Sequence, residues 1–396
     1  MAPAIRTQVG IVGAGPAGLV LAQLLHVAGI ESVVLEDRSR EYVEHRVRAG
    51  VLEQGTVDLL GSIGADARLR AEGIVHHGIE LRFSRRAHRI ALSELTGGRA
   101  ITIYGQQEVV KDLVAARLQS GGPLHFEVDD VSLSGFERDE PRIRFRDGGG
   151  AVQVIECDFI AGCDGFHGVC RPSFPPGVLQ VYERNYPFGW LGVLADVPPS
   201  TEELIYCNHE RGFALHSLRS PTLSRLYLQC DPADEIGAWP DDRIWDEMHT
   251  RFATEAGWTL NEGPIVEKGI TPMRGFVVEP MQLGRLYLAG DAAHIVPPTG
   301  AKGLNLAVHD VDTLAAAIAA WYERGDQSLL DAYTDTCLRR IWRVQQFSAW
   351  MTSMLHRHPR ADGFDARLQL AQLEHVCRSR AAATTLAENY VGLERV

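Results

Sequence analysis

Residues 9–18 read VGIVGAGPAG, and this stretch decides the fold. Its first four residues predict a buried parallel strand, and the glycines after them predict a tight turn into a helix that starts at Pro16. Gly29 stops that helix, and a second apolar strand follows from Val33 to Glu36. A strand, a glycine-rich turn, a helix and a strand are typical of a dinucleotide-binding unit, in which the helix N-terminus faces a pyrophosphate. The same order argues against an export signal in this apolar run.

An acidic residue at the end of the second strand completes the pattern. Glu36 is placed to accept hydrogen bonds from a ribose diol. With strand, helix, strand and acid all in register, a glycine-rich turn that binds nothing is the weaker interpretation. The turn residues that we expect at the dinucleotide are Gly13, Gly15, Ala17 and Gly18.

Composition excludes several classes of partner. The chain has 396 residues and a formal net charge of −12, without a long basic run, so we expect neither a nucleic acid nor a membrane surface as partner. An anionic substrate would therefore need arginines close to it. None of the seven cysteines has C-x-x-C spacing, and no histidine pair lies in a ligand pattern. We therefore expect reduced thiols, a cytoplasmic location and no metal.

The pattern of apolar and polar residues changes twice along the chain. We predict an α/β fold with a Rossmann-like nucleotide-binding domain over residues 1–180. Short alternating strands separated by Pro and Gly turns predict an inserted, mostly antiparallel β-sheet domain over residues 181–285. Residues 286–396 predict a strand, a glycine-rich loop and a helical C-terminal region.

Two later segments indicate which dinucleotide cofactor the fold binds. Residues 161–167 read AGCDGFH and residues 284–294 read GRLYLAGDAAH. Together with the first fingerprint they resemble the three motifs of the flavoprotein monooxygenases that hydroxylate aromatic rings. The resemblance implies FAD, with Asp291 on the ribitol hydroxyls and Asp164 serving both FAD and NAD(P)H. The residues favour this independently, because a flavin is too long for one mononucleotide half and needs a distant strand end.

Further segments resemble one branch of this family, over essentially the whole chain. They are residues 46–55, 186–192 and 387–393, and the branch is the one that hydroxylates 4-hydroxybenzoate. The resemblance implies a homodimer that uses NAD(P)H and O2 to form 3,4-dihydroxybenzoate (protocatechuate) through a flavin C4a-hydroperoxide. It also implies further FAD contacts, at Arg46, Val47, Arg48, Ala49, Gly50, Val51, Gln106, Gly303, Leu304 and Asn305.

The resemblance also implies where the electron donor binds. No second dinucleotide fingerprint is present, so NAD(P)H is expected to visit a surface groove. The implied contacts are Arg38, Tyr42, Arg46, Arg48, His167 and Arg274. Strongly NADPH-selective members carry a basic residue directly after the acid that matches Glu36, whereas this chain has Asp37. A carboxylate there should repel a 2′-phosphate, which predicts NADH use or a weak preference between the two donors.

A substrate pocket follows from the same resemblance. Ser217 and Arg219 are two apart on one predicted strand and share a face, as do Arg225 and Tyr227 on the next. The resemblance implies that the benzoate is held by Ser217, Leu218, Arg219 and Tyr227, the first, third and fourth of these at its carboxylate. A guanidinium suits that role, because its fork matches a carboxylate with two parallel hydrogen bonds.

The other end of the substrate carries the phenol. The resemblance implies that Tyr206 and Tyr390 hydrogen-bond the phenol oxygen and remove its proton, with His76, a surface imidazole, at the outer end of the proton chain. It places Pro298, Thr299 and Asn305 beside the substrate and the flavin.

Two other functions stay open. A hydroxylase of another benzoate, such as 3-hydroxybenzoate or salicylate, would share the three FAD motifs but lack this combination of anchoring residues. A non-catalytic module that reuses the FAD fold to bind a protein, as the Rab escort proteins do, would need an exposed partner surface.

Overall fold

The computed structural model describes residues 4–46 and 50–393. In this part of the chain there are twenty-one strands: β1 (Ile5–Arg6), β2 (Val9–Val12), β3 (Ser32–Leu35), β4 (Val51–Glu53), β5 (Ile74–His76), β6 (Ile79–Phe83), β7 (Arg86–Ile90), β8 (Ile101–Ile103), β9 (Leu124–His125), β10 (Asp129–Ser134), β11 (Arg142–Arg146), β12 (Val152–Glu156), β13 (Phe159–Gly162), β14 (Gln180–Ala195), β15 (Leu204–Cys207), β16 (Ala214–Ser220), β17 (Leu223–Cys230), β18 (Ile265–Glu279), β19 (Gln282–Leu283), β20 (Leu286–Leu288) and β21 (His294–Ile295).

The same residues form twelve α-helices: α1 (Pro16–Val27), α2 (Arg40–His45), α3 (Gln54–Ser62), α4 (Ala67–Glu72), α5 (Leu92–Leu95), α6 (Gln106–Gln119), α7 (Asp241–Phe252), α8 (Gly303–Arg324), α9 (Ser328–Asp331), α10 (Tyr333–Leu355), α11 (Gly363–Arg378) and α12 (Arg380–Val391). Within the described ranges, none of these helices is both long and apolar enough to span a bilayer.

The nucleotide-binding part is built on a six-stranded sheet with the order β19-β20-β13-β2-β3-β9. From β20 to β9 all neighbouring strands are parallel. Strands β2, β3 and β13 are buried along their whole length, which explains their unbroken apolar sequences. The predicted α/β class is confirmed, and β2, β13 and β20 place the ends of all three sequence motifs at one edge of this sheet.

A larger sheet of eight strands carries the other half of the molecule, in the order β21-β18-β14-β17-β16-β15-β6-β7. It is antiparallel except where β15 pairs with β6. One face packs on α7, and the other packs on residues from the C-terminal helices. Strands β6 and β7 come from residues 79–90, so the sheet draws on chain from both sides of residue 180. The division into 1–180, 181–285 and 286–396 stays a prediction.

Two smaller sheets complete the fold. A four-stranded sheet has the order β1-β12-β11-β10, and its β11 and β12 form an antiparallel hairpin. A three-stranded sheet has the order β4-β8-β5, and its β4–β8 pair brings residues 51–53 beside residues 101–103, shortly before α6.

Candidate active site

The turn between β2 and α1 leaves space for a ligand at one glycine and no space at two others. A Cβ added at Gly13, whose φ is +105°, would lie 2.3 Å from the carbonyl oxygen of Cys163. A Cβ at Gly18 would lie 1.9 Å from the carbonyl oxygen of Gly13. At Gly15 it would meet nothing within 4 Å. The turn is therefore closely packed underneath and open above the N-terminus of α1, which fits a pyrophosphate.

Glu36 lies beside this turn, as expected for a ribose acceptor. Its carboxylate accepts hydrogen bonds from the backbone N–H of Ala14 at 2.7 Å and of Arg38 at 3.0 Å. Burial, helped by a hydrogen bond with Asp37, raises the pKa of Glu36 to about 7 against the opposing effect of these two amides.

The second and third motifs meet the first at the same edge. A Cβ at Gly290 would lie 3.5 Å from Cβ of Ala17, and Asp291 beside it is exposed. Asp164 accepts a hydrogen bond from the Cys170 N–H at 2.8 Å, while its Oδ1 is buried without a hydrogen-bond partner among the described residues. Burial raises the pKa of Asp164. An open helix N-terminus, an exposed acid and an unpaired buried oxygen at one edge fit FAD.

Asp310, a residue that the sequence analysis missed, fixes the third motif. From α8 it accepts hydrogen bonds from Gly290 N–H at 3.0 Å and from His294 Nε2 at 2.6 Å. The only sequence signal is an acid within an apolar helix. One ligand atom each of His309, Asp310 and Cys337 lie within 4.8 Å of one another, a grouping that could hold a metal ion. The expectation of no metal stays a prediction.

The start of α8 is bonded to the segment that follows Gly50. The Asn305 side chain accepts hydrogen bonds from Glu53 N–H at 2.9 Å and Thr56 Oγ1 at 2.8 Å, and donates to Val51 O at 3.0 Å. Gly303 and Leu304 open α8, and Gln106 opens α6. The predicted FAD contacts Val47, Arg48 and Ala49 lie outside the described residues.

A buried network of ion pairs stabilises the contact between the start of α8 and the segment that follows Gly50. Lys302 donates to Glu53 at 2.7 Å and to the carbonyl oxygen of Tyr390 at 2.8 Å, and Arg340 donates to the second oxygen of Glu53 at 2.7 Å. Lys302 is 1% exposed, so its partners are needed to keep it charged. Two cations share one carboxylate here, which leaves net positive charge next to the start of α8.

The residues predicted for the electron donor form two groups. In the first, the exposed ring of Tyr42 has the guanidinium of Arg38 at 5.4 Å and that of Arg46 at 5.8 Å from its centroid. In the second, His167 contacts the edge of Phe166, and the Arg274 guanidinium lies 3.7 Å from the centroid of the same ring. Arg48, predicted for the same role, lies outside the described residues.

The predicted substrate residues share one face of the eight-stranded sheet. Ser217 lies opposite Arg225, and Leu215 lies opposite both Tyr206 and Tyr227. Because residues two apart on a strand point to the same side, Tyr206, Ser217 and Tyr227 face one way. Leu218 has the opposite side-chain direction, so only its backbone could contribute to this face.

Arg219 lies at a register shift, between Leu218 and Ser220 at the end of β16. Its Nε is buried without a hydrogen-bond partner among the described residues, and burial lowers its pKa. A Cβ at Gly50 would lie 2.8 Å from its Nη1, so the guanidinium reaches the segment that carries the predicted flavin contacts. A buried guanidinium N–H without a partner is costly, and a bound carboxylate would satisfy it.

Arg225 was given no role from the sequence, but it belongs to the same face. Its Nε donates to the Tyr227 hydroxyl at 3.3 Å, and Glu267 lies 3.5 Å from its Nη1. Since Tyr227 accepts from Arg225, its own phenolic hydrogen is available for a bound anion.

Tyr206 and Tyr390 form a buried pair. Their hydroxyl oxygens are 2.5 Å apart, and the residues are 2% and 1% exposed. Burial raises the pKa of Tyr206 to about 12 and the pKa of Tyr390 well above its ordinary value. A hydrogen bond from the backbone of Gly300 opposes the shift at Tyr206, so the loop that carries Pro298 and Thr299 touches this phenol.

The prediction that His76 is a surface imidazole is wrong. The residue is 0% exposed at the end of β5, and neither ring nitrogen has a hydrogen-bond partner among the described residues. Burial lowers its pKa to about 4. The single-sequence pattern could not show this, because β5 is covered by its pairing with β8 and by neighbours that are distant in the chain.

Comparison with known proteins gives a consistent result. The model of a family described as an FAD binding domain matches residues 6–348. A curated p-hydroxybenzoate hydroxylase of Acinetobacter baylyi is 51% identical over 389 residues, which are 98% of this chain and 96% of that protein. A dialkyldecalin synthase of Streptomyces rugosporus is 28% identical over 87% of this chain and 76% of its own.

A solved structure has a similar fold. The crystal structure of p-nitrophenol 4-monooxygenase from Pseudomonas putida superposes with a TM-score of 0.83 at 18% sequence identity, covering 98% of this chain and all of that one. At this identity the likeness concerns the fold alone.

Proposed function

Because this chain belongs to the FAD-dependent aromatic hydroxylases, we propose that it hydroxylates 4-hydroxybenzoate at C3 to give 3,4-dihydroxybenzoate. One oxygen atom of O2 enters the ring and the other leaves as water, with two electrons from NAD(P)H. FAD, when bound, supplies the redox chemistry: it takes the electrons from NAD(P)H and activates O2.

One observation carries the substrate assignment. Tyr206 and Arg219 lie on the neighbouring strands β15 and β16, and the position opposite Tyr206 lies four residues before Arg219. That is roughly 13 Å along the strand at about 3.3 Å per residue. Two long side chains at such a separation suit a small ring with an anionic group at one end and a phenol at the other.

The carboxylate end is assigned to Arg219, Ser217 and Tyr227. The guanidinium offers its unpaired Nε–H, and Tyr227 offers its hydroxyl hydrogen because Arg225 already donates to its oxygen. This grip fixes which ring carbon lies beside the flavin, and so determines the position of hydroxylation.

The phenol end is assigned to Tyr206 and Tyr390. A phenolate is far more electron-rich at the ortho carbon than a phenol, so the proton must leave before oxygen is transferred. The two hydroxyls, 2.5 Å apart, can pass it away from the substrate. We propose His76 as a later member of this chain; its unpaired buried nitrogens suit a connection through water molecules.

We also propose which residues hold each part of FAD, from their positions in the site. The turn with Gly13, Gly15 and Gly18 would hold the pyrophosphate, Glu36 the adenosine ribose and Asp291 the ribityl chain. The beginning of α8, with Asn305 and the net positive charge of the Lys302 network beside it, would favour negative charge on the reduced ring. The described contacts at Tyr42 and Phe166 support a donor site at the surface.

Three further proposals rest on the resemblance and the composition. They are a homodimeric assembly, a cytoplasmic location with reduced thiols, and the division of the chain at residues 180 and 285. All seven cysteines are free in the structure, which suits a reducing compartment.

The experiment is product analysis with the FAD-loaded protein. We expect 4-hydroxybenzoate to give 3,4-dihydroxybenzoate with little hydrogen peroxide, and 3-hydroxybenzoate and salicylate to give neither product nor rapid NADH oxidation. Efficient hydroxylation of one of those two isomers instead would contradict the substrate. A protein that binds FAD but is not bleached by NADH plus any of these acids under anaerobic conditions would contradict the enzymatic function itself.

A further inference from the structure

A histidine lies in the aromatic core on the same face of the eight-stranded sheet as the proposed substrate residues. His356 directly follows helix α10, as its C-cap, and is 2% exposed. Its ring stacks with Phe188 and with Phe213, at centroid distances of 4.8 and 4.2 Å. Trp190 lies at an interplanar angle of 9° to it, with Nε1 2.6 Å from His356 Nε2. A polar ring in such surroundings needs a hydrogen-bond partner for each of its two nitrogens.

The hydrogen bonds fix the protonation of this ring. An indole N–H can only donate, so His356 Nε2 is the acceptor and carries no proton. The proton is then on Nδ1, which donates to the carbonyl oxygen of Thr352 at 3.1 Å. Burial lowers the pKa of His356 to about 3, so the neutral ring persists at neutral pH.

The backbone around His356 is bonded to the strands of the substrate face. The carbonyl oxygen of Leu355 accepts from Asn208, which directly follows β15, at 3.1 Å. Gln229 on β17 accepts from the N–H of Arg357 at 3.0 Å and donates to its carbonyl oxygen at 2.6 Å. The imidazole is therefore held in a fixed position relative to the two strands that carry Tyr206 and Tyr227.

Aromatic contacts connect the His356 ring to Tyr227 and Tyr206, the residues proposed to hold the two ends of the substrate. Trp190 lies 4.9 Å from Tyr227 and 5.2 Å from Phe213 between ring centroids, and Phe213 lies 6.1 Å from Tyr206.

The turn of α10 that precedes His356 also contacts the loop that carries Pro298 and Thr299. The Thr352 hydroxyl, one turn before His356, donates to the hydroxyl of Thr299 at 2.9 Å. The same turn of α10 thus contacts the aromatic core and the loop proposed to lie beside the flavin.

We propose that His356 is a positioning residue for the substrate: its neutral imidazole holds Trp190, and through Trp190 and Phe213 it fixes Tyr227 and Tyr206 at the two ends of the bound acid. This inference rests on the proposed function. A ring that can tilt between loosened anchors presents C3 less often to the activated oxygen, and oxygen then leaves as hydrogen peroxide.

The test replaces the acceptor and keeps the stacking. His356→Phe leaves the Trp190 N–H buried and unpaired, and we expect the KM for 4-hydroxybenzoate to rise about tenfold. We also expect at least half of the NADH consumed to yield hydrogen peroxide. His356→Gln offers an oxygen to Trp190 and an N–H to Thr352, so it should recover much of both losses. His358→Phe, the same change at an exposed position two residues on, is the matched control.

Several outcomes decide the matter. A wild-type KM and a wild-type product yield in His356→Phe would overturn the inference, as would a His356→Gln enzyme as impaired as His356→Phe. Trp190→Phe should cause a smaller further loss in the His356→Phe protein than it causes in the wild-type protein, because the hydrogen bond is already gone. If His356→Phe does not fold, Trp190→Phe alone removes the donor, and unchanged kinetics there would equally overturn the inference. A wild-type enzyme that fails to hydroxylate 4-hydroxybenzoate contradicts the proposed function instead.

Discussion

The hydroxyl oxygens of Tyr206 and Tyr390 lie 2.5 Å apart although 184 positions separate the two residues in the chain. One belongs to β15 of the eight-stranded sheet and the other to α12, the last helix described. Sheet and C-terminal helix therefore build the phenol end of the site together. The pair is too buried to lose a proton to water, so a proton from a bound phenol has to travel along it.

Replacement of Tyr206 by Phe tests this pair. Tyr206→Phe removes the hydroxyl that would receive the substrate proton, and keeps the ring that contacts Phe213. We expect FAD binding to be unchanged and the rate of product formation to fall by about 100-fold or more, since a proton-transfer partner contributes roughly 10²–10⁴-fold. Product is measured by chromatography and FAD binding by its absorbance.

The control for this change is Tyr182→Phe. Tyr182 is exposed and its ring contacts Trp342 rather than any proposed substrate residue, so this variant should hydroxylate at the wild-type rate. A Tyr206→Phe enzyme that forms product as fast as this control would show that Tyr206 has no part in deprotonation.

The sequence predicted those parts of the site that are local in the chain. The glycine-rich turn with Glu36 is one example, and the two consecutive strands that carry Ser217 and Tyr227 are another, because turn residues and alternation of side chains are local signals. The buried state of His76 depends on distant segments packed over β5 and could not be read from its neighbours. The bond from Asp310 to Gly290 is equally non-local, and a lone acid in a helix gives little indication of it.

Replacement of Arg219 by Lys tests the carboxylate end. A lysine keeps the charge but loses the fork that matches a carboxylate with two hydrogen bonds. We expect the Kd for 4-hydroxybenzoate, measured by the change in flavin absorbance, to rise by about 10- to 100-fold, because charged hydrogen bonds contribute roughly 1.5–3 kcal/mol each.

The neutral analogue 4-hydroxybenzamide supplies the comparison. It has no carboxylate for Arg219, so its affinity should change little in Arg219→Lys. If both ligands lose affinity by the same factor, the guanidinium does not bind the carboxylate. The exposed Arg184, changed to Lys, serves as the matched variant with no expected effect on either ligand.

Two glycines of the β2–α1 turn separate cofactor binding from folding. Gly15→Ala adds a methyl group into open space, so the melting temperature of the FAD-free protein should stay unchanged while FAD affinity falls at least tenfold. Gly18→Ala places its methyl group 1.9 Å from a carbonyl oxygen, so it should destabilise the protein with or without FAD. A Gly15→Ala protein with wild-type FAD affinity would mean that the pyrophosphate does not lie over this turn.

Glu36 makes the stability of the FAD-free protein depend on pH. Burial raises its pKa to about 7, whereas an unfolded chain has the ordinary value near 4.5. The folded state thus retains a proton that the unfolded state releases, so this contribution is complete below pH 4.5 and is lost as the pH rises to 7. Glu36→Gln cannot titrate, so we expect its melting temperature to fall less than that of wild type between pH 5 and 7.5. Parallel curves for the two proteins would contradict the raised pKa.

The choice of electron donor depends on Asp37. Its carboxylate is exposed beside Glu36 and lies 3.7 Å from the guanidinium of Arg38, so it partly cancels the positive charge that Arg38 would offer to an approaching 2′-phosphate. We expect the wild-type enzyme to have a kcat/KM for NADH equal to or above that for NADPH.

Asp37→Arg replaces this repulsion by attraction and should raise kcat/KM for NADPH about tenfold at low salt, with a smaller gain at high salt because exposed charges are screened. Asp37→Asn is the matched control, and should give only the part of the gain that comes from removing the negative charge. Neither variant should change kcat/KM for NADH by more than about twofold, because NADH carries no 2′-phosphate to sense the charge. A wild-type enzyme with a strong NADPH preference, or an Asp37→Arg enzyme that responds equally to both donors, would show that residue 37 does not face the 2′ position.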